Sequence, residues 1–268
     1  MSRRLLRRAY LVTGASGIAA AAARRFAAEG AAVHVTSLDA DECAELADAI
    51  AAAGGRCTWT AGDLRDEPTS AEAVAGCAAA TGRIDGLFAV AGGSGRAYGD
   101  GPLHEVTLDG WDATVGMNLT PAFLAMRDVV RRMRTQQPDD DGIRGAIVLV
   151  GSVLAASPAP TLFATHAYAA AKGALEALVR STAAYYGPDG IRVNAVTPGL
   201  VATPMAARAA ADPTIVAYAA GKQPLAGGLL DADDVSDAAL FLLSSEARRI
   251  TGQSLAVDGG WSVSEGRA

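Results

Sequence analysis

The chain predicts a doubly wound α/β fold: one domain built on a parallel seven-stranded sheet, with helices on both faces. Three observations carry this prediction. Seven short apolar runs alternate along the 268 residues with longer alanine-rich segments. The short runs are apolar at nearly every position rather than at every second one, as strands buried on both faces are. Half of the residues are hydrophobic and only 19% are charged, which supplies a core and excludes extended disorder.

The strands are read, in order, at 9–13 (AYLVT), 32–36 (AVHVT), 57–61 (CTWTA), 87–91 (LFAVA), 146–150 (AIVLV), 192–196 (RVNAV) and 254–258 (SLAVD). Apolar residues recur at three- and four-residue spacing over 17–29, 40–53, 107–134, 168–186 and 232–244, which are read as helices. A strand followed by a helix and then another strand closes into a parallel pair by a right-handed crossover, giving a Rossmann-like arrangement. Residues 1–8, with Arg3, Arg4, Arg7 and Arg8, read as a solvated leader, 9–262 as the domain and 263–268 as a tail. The opening MSRRLL looks superficially like a twin-arginine export signal, but cleavage there would remove the first strand and its glycine turn. No apolar run reaches the ~18–20 charge-free residues of a membrane helix.

Three breaks interrupt the pattern, at 92–101, 136–145 and 198–230. In an open α/β sheet the ligand lies beyond the carboxyl ends of the strands, so the loops after strands 1, 4, 5 and 6 face it. The first and third breaks fall there. The acidic 136–145 loop precedes a strand on the opposite rim and is expected to be solvated surface only.

A formal net charge of −6, with arginines scattered among acids, argues against nucleic acid or an anionic membrane as partner and for a small molecule. Cys43, Cys57 and Cys77 are odd in number and form no CxxC pair, so neither a disulfide framework nor a zinc site is expected, and a reducing cytoplasm is the expected compartment. His34, His104 and His166 share no metal-ligand spacing with a carboxylate, so no metal is expected.

Two stretches carry chemistry by themselves. In YAAAK, Tyr168 and Lys172 stand four residues apart on one helix face, which sets an ammonium beside a phenol. Bringing a phenol from its ordinary pKa near 10 toward ~7 takes about 4 kcal/mol, for which a neighbouring cation and an oxidised nicotinamide are candidates. Of 23 basic residues only Lys172 and Lys222 are lysine, so an ammonium kept at 172 amid arginines suggests a place where a guanidinium fork would not serve. In TGASGIAAAAARRF, the spacing GxxGxxA over Gly14, Gly17 and Ala20 meets the needs of a tight strand-to-helix turn. Free backbone N–H groups at the helix start suit a pyrophosphate, and Ala19 or Ala20 supplies a small residue where helix meets sheet.

Together with MNL 117–119, VGSVLA 150–155, GDL 62–64, Ala91-Gly92, PGLVATPM 198–205 and TGQSLAVDGG 251–260, these stretches resemble the short-chain dehydrogenase/reductase family over nearly the whole length and in the family's order. The resemblance implies an NAD(P)-dependent oxidoreductase with Tyr168 as general acid/base, Ser152 on the substrate oxygen, and Asn118 holding a water that relays protons behind Lys172. It also implies a cofactor held by Gly14, Ser16, Gly17, Ile18, Ser37, Asp39, Asp63, Leu64, Ala91, Gly92, Tyr168, Lys172, Pro198, Gly199, Val201 and Thr203. Ser157 is a weaker alternative to Ser152; Arg96, Tyr98 and His166 are candidates for the substrate rim, and Trp111 for the core. At the end of the second strand stands Ser37, neither the acid of NAD binders nor the arginine of NADP binders. Asp39, Asp41 and Glu42 follow with no arginine aligned against them, which favours NAD(H) over NADP(H).

The chain departs from the family pattern in its glycine turn, one residue short, and at Ala89-Val90, where asparagines commonly tie neighbouring strands; their loss is expected to cost the sheet about 1 kcal/mol. These departures keep two alternatives open, a non-catalytic dinucleotide-binding sensor or scaffold and an epimerase or dehydratase relative. The mostly apolar 199–230 segment reads as a lid over a moderately apolar, uncharged substrate, and the resemblance implies a homotetramer assembled through the helices at 107–134 and 168–186.

Overall fold

The computed structural model describes residues 3–265. Its seven strands are β1 (Ala9–Thr13), β2 (Ala32–Ser37), β3 (Arg56–Ala61), β4 (Gly86–Ala89), β5 (Gly145–Val150), β6 (Ile191–Pro198) and β7 (Ser254–Val257). All neighbours pair in parallel, in the order β3-β2-β1-β4-β5-β6-β7. The helices are α1 (Gly17–Ala28), α2 (Ala40–Ala52), α3 (Glu67–Ala79), α4 (Leu108–Arg134), α5 (Ala167–Tyr186), α6 (Ala207–Ala210), α7 (Pro213–Lys222) and α8 (Ala232–Leu243). Each predicted strand and helix is present within two or three residues, and α3, α6 and α7 are additions.

Alternate strand residues build two cores. Tyr10, Val12, Val33, Val35, Phe88 and Val148 pack beneath α1, α2 and α8. Leu11, Leu87, Ile147, Leu149 and Val193 pack against α3, α4 and α5. The inner strands are therefore buried on both faces and lack a regular polar alternation, whereas the edge strand β3 is largely exposed and alternates. Tyr10, Phe26 and Phe88 pack in tilted and edge-to-face contacts with ring centroids 5.8 and 5.9 Å apart and join β1, α1 and β4. The chain reverses its strand order between β1 and β4, so the loops leaving these two strands part and open a crevice at their carboxyl ends.

Two surface expectations are corrected. The arginine-rich leader is held to the domain: Leu5 is fully buried, Arg4 pairs with Glu29 at 3.2 Å, and Arg8 pairs with Asp139 at 3.2 Å. That second pair also shows that the 136–145 loop, though on the opposite rim, does more than face solvent. Gln136 is buried and bonds both the N–H and the carbonyl of Ile84.

Candidate functional site

The crevice begins at the glycine turn. Gly14 has φ +106°, and a Cβ there would lie 3.0 Å from Ala19 Cβ; Gly17 has φ +53°, and its Cβ would lie 3.1 Å from Thr203. Both glycines are demanded by backbone sign and by space. Ala19, rather than Ala20, is the small residue that lets the turn close. The first turn of α1 has no acidic residue and its N-cap, Ser16, makes no side-chain cap bond, which leaves the helix start open to an anion. On the far side of the crevice the expected asparagines are absent, but Thr13 Oγ1 accepts from the N–H groups of Val90 (2.9 Å) and Ala91 (3.0 Å). A hydroxyl from β1 thus makes the tie to the chain leaving β4.

Gly14, Ser16, Gly17, Ile18, Ser37, Asp63, Leu64, Ala91, Gly92 and Thr203 line this elongated cleft. Asp39 is not brought to it: its carboxylate caps α2, accepting from the N–H groups of Asp41 and Glu42. The cleft gains Arg65, which the sequence reading does not align; its guanidinium is engaged by both carboxylate oxygens of Asp63, which this partner holds below the usual carboxylate range against the opposing effect of burial.

A second cavity of about 290 Å³ opens from the same crevice and is lined by Ser152, Tyr168, Lys172, Asn118, Pro198, Gly199 and Val201. Ser152 leaves β5 and Tyr168 sits in the first turn of α5, and both line the same cavity. The long connection 154–166 does not displace Ser152, which also accepts the N–H of Leu154. Ser157 does not line the cavity; its carbonyl accepts from Trp261 Nε1. Lys172 is buried, donates from Nζ to the carbonyl of Val150 at 2.8 Å, and lies 5.6 Å from the Tyr168 ring centroid.

Burial sets the electrostatics. It pushes the Tyr168 phenol up, the Ser152 hydrogen bond opposing it, and it lowers the Lys172 ammonium to about 8. Without a bound nicotinamide, therefore, the phenol holds its proton more tightly than in water.

Asn118 is buried on α4, but its side chain is engaged: Nδ2 donates to the carbonyls of Gly93 and Thr114, both at 2.9 Å, and Oδ1 accepts from Gly93 N–H. It fastens the loop after β4, and a Cβ at Gly92 would lie 2.6 Å from its Oδ1. Both Nδ2 hydrogens are therefore used within the protein. Three residue positions later Pro121 lacks an N–H, so the carbonyl of Met117 has no helical donor at this point of α4.

Three further residues hold the site, none of them visible in the sequence motifs. Asp100 is buried and accepts from the N–H groups of His166 (2.8 Å), Ala167 (2.9 Å) and Tyr168 (3.0 Å) and from Thr165 Oγ1. Burial alone would raise its carboxyl, yet these bonds hold it below the ordinary value. It caps α5 from another loop, because the N-cap His166 makes no cap bond. Gln223 is fully buried, bonds the N–H and carbonyl of Leu200 and the carbonyl of Gly228, and so ties the two ends of the 199–230 segment. Trp261, 1% exposed, meets Phe163 and Tyr218 edge to face and closes the cavity wall. Among the rim candidates, Arg96 lines the cavity and Tyr98 the cleft, whereas His166 turns its Nδ1 to the carbonyl of Gly101.

The glycine cradle at a helix start and the serine-tyrosine-lysine set beside it define a dinucleotide-dependent oxidoreductase. Comparison with known proteins gives the family. The family model described as enoyl-(acyl carrier protein) reductase matches residues 12–262. A cis-4-hydroxycyclohexanecarboxylate dehydrogenase of Sinomonas cyclohexanicum is 37% identical over 98% of this chain and 100% of its own. Among solved structures, a short-chain type dehydrogenase/reductase of Mycobacterium ulcerans superposes with TM-score 0.88 at 30% identity, over 98% of this chain and 92% of that one. A Beutenbergia cavernae protein, assigned as an NAD(P) dependent gluconate 5-dehydrogenase and holding NADP at low occupancy, superposes with TM-score 0.86 at 34% identity, over 98% of this chain and 100% of that one. The chain belongs to the short-chain dehydrogenase/reductase family and is an NAD(P)-dependent oxidoreductase. No helix among the described residues is long and apolar enough to cross a membrane, and no metal-binding cluster of His, Cys, Asp or Glu is found among them.

Proposed function

We propose that the protein interconverts a secondary alcohol and a ketone on a moderately apolar small molecule, with Tyr168 as the proton-transfer group. The observation that carries this reading is the convergence of Ser152, Tyr168 and Lys172 in one cavity, which shares Ile18, Val90, Gly92, Thr203 and Met205 with the glycine-lined cleft. The nicotinamide cofactor supplies the hydride acceptor or donor when bound. Tyr168 gives its proton to the developing alkoxide in the reductive direction and takes it back in the oxidative one. Ser152 donates to the same oxygen, where a positioned hydroxyl stabilises growing negative charge. Lys172, held by the Val150 carbonyl, presents a cation to the phenol when it loses its proton. The named substrate of the Sinomonas relative is a ring secondary alcohol, which supports this class.

NAD(H) is preferred over NADP(H) in this reading. Asp63 and Arg65 flank the cleft beyond Ser37, and the single guanidinium there is already paired, so a 2′-phosphate would have to break the Asp63–Arg65 pair and meet the freed carboxylate. The 199–230 segment acts as a lid pinned at its base by Gln223 and by the Val201–Leu230 bridge, with its outer part bearing the exposed Met205. A cytoplasmic homotetramer forms through α4 and α5, whose shared groove presents Phe123, Leu178 and Tyr186. The test of the catalytic reading is absorbance at 340 nm with NADH and NADPH against a panel of ketones. Turnover with NADH exceeding that with NADPH supports both statements, whereas cofactor binding without turnover on any ketone or alcohol favours the sensor alternative.

A further inference from the structure

The charged lining of the substrate cavity is one-sided. Besides Lys172, its only charged side chains are Arg96, from the loop after β4, and Arg208, from α6, and no aspartate or glutamate lines it. Elsewhere Arg4, Arg8, Arg25, Arg65, Arg83 and Arg127 each have a carboxylate within 2.5 to 3.2 Å, which neither cavity arginine has. The Arg96 guanidinium makes one hydrogen bond, to the carbonyl of Leu162, and the Arg208 guanidinium makes neither hydrogen bond nor ion pair among the described residues. The carboxylate nearest in influence, Asp100, spends its oxygens on the start of α5. The two guanidiniums are close enough to repel, since Arg208 depresses the affinity of Arg96 for its proton, after the larger effect of burial. Opposite them the walls are apolar: Leu154, Phe163, Leu200, Met205 and Trp261.

Two like charges brought from separate elements to one cavity, with no acid between them, are matched by an anion. Resting on the oxidoreductase reading above, we propose that the substrate carries a carboxylate held by Arg96 and Arg208 at the cavity mouth, its apolar body against Phe163 and Trp261 and its alcohol or ketone carbon at Ser152 and Tyr168. The guanidinium fork suits a planar carboxylate, which it can grip by two parallel bonds. This proposal departs from the expectation of an uncharged substrate, while the apolar walls keep its body moderately hydrophobic.

The test compares each ketone with its own neutral form: 5-oxohexanoate and 3-oxocyclohexanecarboxylate against their methyl esters, with NADH and the full chain. The acids are expected to exceed the esters in kcat/KM by about tenfold or more, mainly through KM, and the preference is expected to shrink with added salt. Arg96→Gln and Arg208→Gln are each expected to reduce the acid-to-ester ratio by about tenfold. Binding of the same acids and esters to the NAD-loaded protein by calorimetry reads the inference without turnover. There, tighter binding of the acid in the parent that is lost in the double variant supports it. Equal kcat/KM or equal binding of acid and ester, or an acid-to-ester ratio that both substitutions leave unchanged, overturns it. If no ketone turns over but the acids still bind through the two arginines, the proposed alcohol–ketone reaction fails and the anion site stands.

Discussion

Replacing Asp100 tests how the catalytic tyrosine is positioned. In the parent, one carboxylate holds three N–H groups at the start of α5 and the Thr165 hydroxyl, and the third of those N–H groups belongs to Tyr168. Asp100→Ala removes all four bonds and leaves the helix start without a cap, since His166 provides none. A lost cap costs about 1–2 kcal/mol, and bonds to a charged acceptor are each worth about 1.5–3 kcal/mol where water cannot replace them. Water reaches part of this loop, so a total of about 3 kcal/mol is expected, or a fall in Tm of about 6–12 °C for a domain of this size. The consequence for chemistry is larger than for binding. A displacement of the reacting group by about 1 Å costs on the order of a hundredfold in rate, so kcat should fall by about that factor. The Kd for NADH, measured by fluorescence, should stay within about threefold, because the glycine turn lies on β1 and α1. Asp100→Asn, which keeps the shape and one acceptor, should fall between. Parent values of both kcat and Tm in Asp100→Ala would refute the assignment of Asp100 as the positioning residue, as would a Kd loss equal to the kcat loss.

Other substitutions test other parts of the account. Gly17→Val puts a branched side chain at φ +53° and 3.1 Å from Thr203, and should abolish measurable NADH binding; Ala20→Gly should leave Kd within about threefold while costing about 1 kcal/mol of stability, as separate titration and unfolding curves would show. His34 is buried between Thr58 and Thr60, and burial lowers its pKa to about 4, below the 6.5 of the exposed ring. Between these values the unfolded chain takes up a proton that the folded one refuses. Stability should therefore be complete above pH 6.5 and decline toward pH 4, by up to about 3 kcal/mol, with His34→Val flattening that slope in urea titrations.

The positions of the inner strands were legible because a sheet covered on both faces leaves no regular polar alternation, so each stands out as an apolar run bounded by glycine or polar residues. The reacting set was legible because Tyr168 and Lys172 lie on one helix and keep a local spacing. Helix α3 escaped because its buried residues, Ser70, Ala73, Val74 and Cys77, are small or polar and make only a faint stripe. Asp39 misled for a local reason: its spacing from the glycine turn suits a ribose contact, but an aspartate just before a helix also caps it, and the cap prevails. Asp100, Gln223, Arg65 and the convergence of Arg96 with Arg208 depend on loops from distant parts of the chain meeting at one rim, and no periodicity encodes such a meeting. Asn118 was found as a residue but not in its contacts, because its partner Gly93 lies 25 positions away.

The central claim is that Tyr168 moves the proton while the rest of the cleft holds the cofactor. Its most direct test is Tyr168→Phe, with NADH affinity and turnover of a working ketone measured on the same preparation. The account predicts a Kd within about threefold of the parent and a kcat lower by at least about a hundredfold, the range that general acid catalysis supplies. Turnover within a fewfold of the parent, with the cofactor still bound, would contradict it.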